Sequence, residues 1–157
     1  MAQASSTTTI SLPSAADCPV GTRIPELRQE IDLLTLVRYA GASTDFNQIH
    51  FNEEFAKAAG LPGIIGHGLL GMGLVSEAVT NWLGDSGLLK DLSVRFVNSF
   101  FLGDVLTVTG EITEKATTDE GQTQLELRLS CVNQDNVEII GNAVATVLLP
   151  GERSNNG

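Results

Sequence analysis

After one short alternating stretch, Leu27 to Ile31, the apolar positions of this chain follow a helical period as far as Leu83 and a period of two from Leu89 onward. In the first stretch Leu27, Gln29 and Ile31 oppose Arg28 and Glu30, which predicts an edge strand after a loop from Val20-Gly21 to Pro25. Asp32 reads as the N-cap of a helix over Leu33 to Ala40, with Leu33, Leu36, Val37 and Ala40 on one face and Gly41 as its end. Asn52 caps a second short helix, Glu53 to Ala59. Its two acids stand in the first turn and Lys57 in the last, as the helix dipole favours. Gly60 follows as C-cap and Leu61-Pro62-Gly63 as a loop.

His67 to Leu83 is the longest predicted helix, roughly 25 Å at 1.5 Å per residue. Leu69, Leu70, Met72, Leu74, Val75 and their successors to Leu83 cover almost its whole circumference, so it must be buried on most faces. Gly71 and Gly73 each cost about 1 kcal/mol against Ala inside a helix. That cost predicts something packed very close to the helix backbone at both. Gly84-Asp85-Ser86-Gly87 stops it. Everything beyond is strand-like. Leu89 to Phe96 leads into Val97 to Leu102, Gly103-Asp104 turns the chain, and Val105 to Ile112, Thr123 to Val132 and Val137 to Leu149 follow. Leu125, Leu127, Leu129 and Cys131 face inward by alternation, and Gly141, Ala143 and Ala145 form a small-residue stripe. The fold class is α+β: an antiparallel sheet of five or six strands wrapped around one buried helix. The expected organisation is one domain over 18–150, between an N-terminal tail (1–17) and a C-terminal tail (151–157), with no repeats.

Composition narrows the function. At 157 residues and 42% apolar content the chain is long enough to bury one sizeable core. The net charge of −10, with 9 Lys plus Arg and no basic run, argues against a nucleic-acid partner. It leaves room for a phosphorylated carrier held by a few local cations such as Lys57, Lys90 or Arg95. Cys18 and Cys131 have no ligand or disulfide spacing and read as inert thiols, so a reducing, cytoplasmic setting is expected. The first residues carry no basic n-region or apolar h-region of a signal peptide, and no apolar run reaches the ~18 residues of a spanning helix, so no membrane insertion is expected.

Both histidines fall between Tyr39 and Leu83. His50 lies five residues after Asp45, with Asn47 between them in a stretch that reads as a turn. A turn lets an acid and an imidazole at that spacing aim into one place, and no other acid–histidine pair in the chain has the opportunity. Asn47 reads as the holder of the turn. His67 reads first as a packed histidine at the helix start, hydrogen-bonded to backbone. Asp45, His50 and His67 lack the local ligand spacing of an HExxH motif, so no metal is expected.

Tyr39-Ala-Gly-Ala-Ser-Thr-Asp-Phe-Asn-Gln-Ile-His-Phe-Asn52, followed by Ile64-Ile-Gly-His-Gly-Leu-Leu70, resembles the MaoC-like R-specific enoyl-CoA hydratases and (3R)-hydroxyacyl-thioester dehydratases of the hot-dog fold. The resemblance continues through Thr80 to Asp85, Val94 to Phe96 and Leu102 to Val108, covering about 20–149. Thr44, Gln48 and Asn52 depart from the family pattern, which has Gly, Pro and often Asp there.

The resemblance implies reversible hydration of trans-2-enoyl thioesters, or dehydration of (3R)-3-hydroxyacyl thioesters, carried on CoA or acyl-carrier protein, with no cofactor. It implies His50 as base, Asp45 as second water ligand and proton relay, and the Gly68 N–H at the helix start as oxyanion donor. A carboxyl in an apolar tunnel would have its pKa raised toward useful acidity. Asn47, His67 and Ser76 are candidate substrate-binding residues, although back-bonding to the helix is the plainer reading of Ser76. Two alternatives stay open: a hot-dog thioesterase, for which Glu77 is the one candidate acid on the helix, and a non-catalytic subunit of a heterodimeric dehydratase. A dimer is expected, with an identical or a related hot-dog mate.

Overall fold

The computed structural model describes residues 13–14 and 18–150, and the expected tails at 1–17 and 151–157 fall almost entirely outside them. The elements in order are β1 (Leu27–Glu30), α1 (Leu33–Ser43), a 3-10 turn (Gln48–His50), α2 (Glu53–Ala58), α3 (Gly68–Leu83), a 3-10 turn (Gly84–Ser86), β2 (Leu88–Phe96), β3 (Val105–Thr117), β4 (Thr123–Val132) and β5 (Glu138–Leu149). The five strands form one sheet in the order β1-β3-β4-β5-β2, every neighbouring pair antiparallel. The sheet wraps α3, which is the hot-dog arrangement.

Side-chain chemistry accounts for most boundaries. Asp32 caps α1 by accepting from the Thr35 N–H at 2.7 Å, and Asn52 caps α2 by accepting from the Phe55 N–H at 3.2 Å. Gly84 ends α3, its N–H bonded to the Thr80 carbonyl. On β4 the inward Leu125, Leu127, Leu129 and Cys131 are buried and alternate with half-buried or exposed Glu126, Arg128 and Ser130. Ala143 and Ala145 of β5 lie beside them in the sheet, in register with Leu129 and Leu127. Both cysteines are buried and neither forms a disulfide among the described residues; burial pushes the Cys131 thiol up to about 11, so it stays unionised near neutrality.

Four details differ from the pattern-based expectation. Helix α1 runs through Gly41 to Ser43, because Thr44 takes the left-handed conformation (φ 61°) that ends it. Only Leu36 and Ala40 of its apolar face are buried; Leu33 and Val37 are exposed. Helix α3 keeps one stripe open to solvent, formed by Leu69, Gly73, Glu77 and Thr80. Gly73 lies on that stripe and a Cβ there would meet nothing within 4 Å, whereas one on Gly71 would lie 3.2 Å from Ile140 Cδ1. Finally, Val97 to Leu102 is a loop with one isolated bridge, Ile65 to Phe101, and β3 extends five residues beyond Ile112. Among the described residues no helix is long and apolar enough to cross a membrane.

The tightest backbone approach is at Gly66, just before α3. A Cβ there would sit 1.9 Å from the Phe100 ring, and Phe100 is 1% exposed with nowhere to move. We expect Gly66→Ala to cost about 1–3 kcal/mol as an overpacking change. Gly63→Ala in the same connection, where a Cβ meets nothing within 4 Å, should stay within about 0.5 kcal/mol of the parent. Urea denaturation of the two variants checks the contrast.

Candidate active site

The site is assembled where the loop after α1 meets the start of α3. Ser43 Oγ donates to the Tyr39 carbonyl at 2.7 Å and accepts from the Asp45 N–H at 3.3 Å, tying the loop to the end of α1. Asp45 then forms an Asx turn: its Oδ1 accepts from the Asn47 N–H at 3.2 Å. Asn47 in turn accepts from the Ile49 N–H at 3.3 Å and starts the 3-10 turn that carries His50. Thus Asn47 holds the turn through both backbone and side chain.

One carboxylate oxygen of Asp45 is engaged by Asn47, and the other, Oδ2, faces His50 Nε2 at 3.8 Å. On the far side of the ring, His50 Nδ1 lies 2.8 Å from the Ile65 carbonyl. A carbonyl only accepts, so Nδ1 carries the proton and the Nε2 lone pair of the neutral ring points toward Asp45. The His50 side chain is 9% exposed and that of Asp45 is 52% exposed. The expected apolar tunnel around the carboxyl is therefore not formed by this chain: Asp45 stands at a mouth.

His67 lies behind the pair. Its ring stacks on His50 at 3.8 Å between centroids, 22° from parallel, and meets Tyr39 at 4.9 Å. Its Nε2–H donates to the backbone carbonyl of Asp45 over 3.3 Å. The expectation of a buried histidine bonded to backbone thus matches its surroundings. Burial holds its pKa below the ordinary histidine value, opposed by the Asp45 carbonyl bond. Candidate ligand atoms of Asp45, His50 and His67 all lie within 4.8 Å of one another. A shared ion is nevertheless poorly served, since imidazole lone pairs lie in the ring planes and stacked rings aim them side by side, not at one point about 2.0 Å from each.

Gly68 opens α3, and its N–H belongs to the first turn, which has no intrahelical acceptors. A Cβ on Gly68 would only touch the Phe96 ring at 3.7 Å, so the protein's own packing does not demand glycine there. Two cavities meet at this point and share His50, Gly68 and Phe96. One, about 270 Å³, opens toward Tyr39, Asp45 and Leu69; the other, about 290 Å³, runs under the loop 96–100 to Phe100 and Ile139. A groove of about 540 Å³ crosses β3 and β4, where Arg23 pairs with Glu111 at 3.7 Å, and neither histidine lines it.

The structure thus brings Asp45, His50, His67 and Gly68 together, with Asn47 supporting. Ser76 sits half-buried two turns up α3 and lines neither cavity; Glu77 is exposed on the open stripe. Lys57, one candidate for a carrier phosphate, is engaged with Glu53 at 2.6 Å. Phe96 and the Ile65 carbonyl also shape the site; both lie in stretches of the resemblance, but residue type and spacing alone gave them no role there. Two of the departures from the family pattern bond each other: Asn52 Nδ2 donates to Gln48 Oε1 at 3.1 Å.

A family model described as MaoC like domain matches residues 16–134. The chain belongs to that family. A 3-oxo-4,17-pregnadiene-20-carboxyl-CoA hydratase beta subunit from Mycobacterium tuberculosis is 35% identical over 94 residues, covering 60% of this chain and 73% of its own length. An (R)-specific enoyl-CoA hydratase from Rhodospirillum rubrum is 31% identical over 117 residues, 71% of this chain and 75% of that one. Among solved structures, a chain of the ChsH1-ChsH2 complex from Mycobacterium tuberculosis matches with a TM-score of 0.72 at 29% identity, covering 83% of this chain and 98% of that chain. Three further curated relatives are much longer, the chain spanning 4%, 21% and 9% of their lengths. The family to which the chain belongs is one of enoyl-CoA hydratases acting on acyl thioesters.

Because burial keeps His67 neutral in the folded state, the unfolded chain binds the extra proton first. The stability this contributes is fully present above the unfolded value of about 6.5 and is lost as pH falls toward the lower folded value. We expect the urea midpoint to fall on acidification below about pH 6.5, and less steeply in a His67→Phe variant.

Proposed function

We propose that the chain adds water reversibly across the double bond of a trans-2-enoyl thioester, giving the (3R)-3-hydroxyacyl product. The observation that carries this reading is the lone pair of His50 Nε2, 3.8 Å from a carboxylate oxygen of Asp45, beside the open amide of Gly68. Two acceptors that far apart can each hold one water at about 2.8 Å. His50 takes a proton from that water as its oxygen bonds the β carbon. The alkene electrons move onto the thioester oxygen, which the Gly68 N–H and the positive end of α3 stabilise. The enolate then collapses as the α carbon takes a proton from the Asp45–His50 pair, so the pair ends as it began.

The acyl chain fits the cavity that ends at Phe100 and Ile139, with its carrier, CoA or acyl-carrier protein, leaving past Asp45 and Leu69. A thioesterase reading needs an acid on α3, and Glu77 lies outside both cavities. A non-catalytic subunit would have no use for the Asp45–His50 geometry. We also propose a dimer with an identical or related subunit. It is supported by the open mouth at Asp45, by Leu69 (61% exposed) and Phe96 (52% exposed) beside it, and by a relative whose name describes it as a beta subunit. Light scattering showing a monomer at micromolar concentration would count against it.

Hydration of crotonyl-CoA and longer enoyl-CoAs, followed by loss of enoyl absorbance, tests the activity. Asp45→Asn and His50→Gln should each lower kcat by about 10² or more with KM less affected. Unchanged turnover in either would remove that residue from the chemistry. Gly68→Ala should fold normally, because its Cβ meets only the Phe96 ring, yet lose at least about tenfold in kcat/KM as the methyl crowds the carbonyl. Full activity there would move the oxyanion site elsewhere.

A further inference from the structure

The proposed chemistry uses His50 and leaves the second histidine without a task, although His67 is the more deeply buried of the two, 2% exposed against 7%. A residue at a helix N-cap is ordinarily one that caps. His67 occupies that position in front of α3 and makes no side-chain cap bond. A Ser, Asp or Asn there would take up an N–H of the first turn and stabilise the helix. The imidazole is instead turned back beneath His50, and the amides at the helix start stay open.

Its hydrogen bonds set its chemical form. Nε2 faces only a carbonyl, so it carries the proton. Nδ1 is fully buried and has no partner among the described residues. Protonating it would place a buried N–H donor against no acceptor, which costs more than leaving a lone pair unmet. The titratable groups around the ring are Asp45, His50 and Tyr39; the Asp45 carboxylate faces His50 and is itself partly in water. His67 is thereby fixed as a neutral ring of one tautomer.

Two bonds lace the segments together in opposite directions. His50, on the 45–50 turn, donates to the Ile65 carbonyl; His67, at the helix start, donates to the Asp45 carbonyl. The Ile65 N–H bonds the Ile49 carbonyl at 3.2 Å between them. Removing the first bond would free the base, and removing the second would free the acid's backbone. The stacked face meanwhile prevents His50 from tilting off the line to Asp45 Oδ2.

We propose that His67 is a positioning residue, a neutral imidazole plate that holds Asp45 through its carbonyl and His50 through its ring, and so sets the water-gripping distance between them. This rests on the hydratase reading for its consequence and on geometry for its substance. Two substitutions separate its two contacts. His67→Phe keeps a flat ring under His50 and loses the bond to Asp45; His67→Gln keeps a donor and loses the ring. Each should lower kcat by about tenfold to a hundredfold with KM within about threefold, since a displacement near 1 Å is worth that much. A ring that merely filled space would be replaced by Phe without loss, so wild-type kcat in His67→Phe overturns the proposal. Nitrogen-15 NMR of the wild-type imidazoles decides the matter even where a variant fails to fold. It should find the proton on Nδ1 of His50 and on Nε2 of His67, with His67 gaining a second proton only below the ordinary histidine value. A His67 that carries its proton on Nδ1, or gains a second one at or above about pH 6.5, overturns the proposal. Absence of turnover in the wild type would sink the hydratase reading instead, leaving the NMR result to judge His67 by itself.

Discussion

A helix swallowed by a sheet cannot hide its own beginning. The first-turn N–H groups of α3 have no intrahelical acceptors, and each one buried without a partner would cost about 1–3 kcal/mol. The chain meets this constraint by leaving the start of α3 at the surface: Gly68 and Leu69 are exposed while Leu70, Leu74, Val75 and Ala78 further along are buried. The connections around that opening are then fastened by backbone bonds. Gly66 donates to the Phe100 carbonyl at 2.8 Å and Leu102 to the Ile64 carbonyl at 3.0 Å, so the loop after β2 is clamped to the segment before α3. The same loop roofs one cavity, and the opening is where both cavities meet. A cleft with a positive dipole at its floor follows from burying an apolar helix in so small a domain.

How much of this could be read in advance depends on how local its cause is. The caps at Asp32 and Asn52 and the alternation of β4 are set by residues within four positions, and each was legible. The Asp45–His50 turn was legible too, because Asx turns are local chemistry. What escaped reading depends on distant partners. Gly66 looks like any loop glycine until Phe100 is placed beneath it, 34 positions later in sequence. Gly73 looks like a close-contact glycine until the open stripe of α3 is known. Val97 to Leu102 has the composition of a strand, yet the Phe101 N–H is taken by the Asp104 carboxylate at 2.8 Å, and Asp104 is held by Gln134 at 2.9 Å from the β4–β5 turn. A long-range tie overrides local propensity there. The exposure of Asp45 was missed for a related reason, since the walls of the expected tunnel are not supplied by this chain.

The departures from the family pattern show how the turn keeps its shape with different residues. Thr44 stands where glycine is usual and still adopts φ 61°, a left-handed conformation that costs a β-branched residue about 1–2 kcal/mol. Its hydroxyl donates to the Ser43 carbonyl at 2.6 Å, recovering part of that cost. The strain is held in place because Ser43 is bonded on both sides, to Tyr39 and to Asp45. Gln48 stands where proline would rigidify the link between Asp45 and His50, and its rigidity is replaced by a bond from Asn52, the third departure, together with the Asn52 N–H to the Gln48 carbonyl at 2.8 Å. An exposed side-chain bond contributes only about 0.5–1.5 kcal/mol. It need not contribute more, because His50 is already fixed from the other side by Ile65. The turn is over-determined from both flanks, which is the condition under which a strained residue can persist beside Asp45.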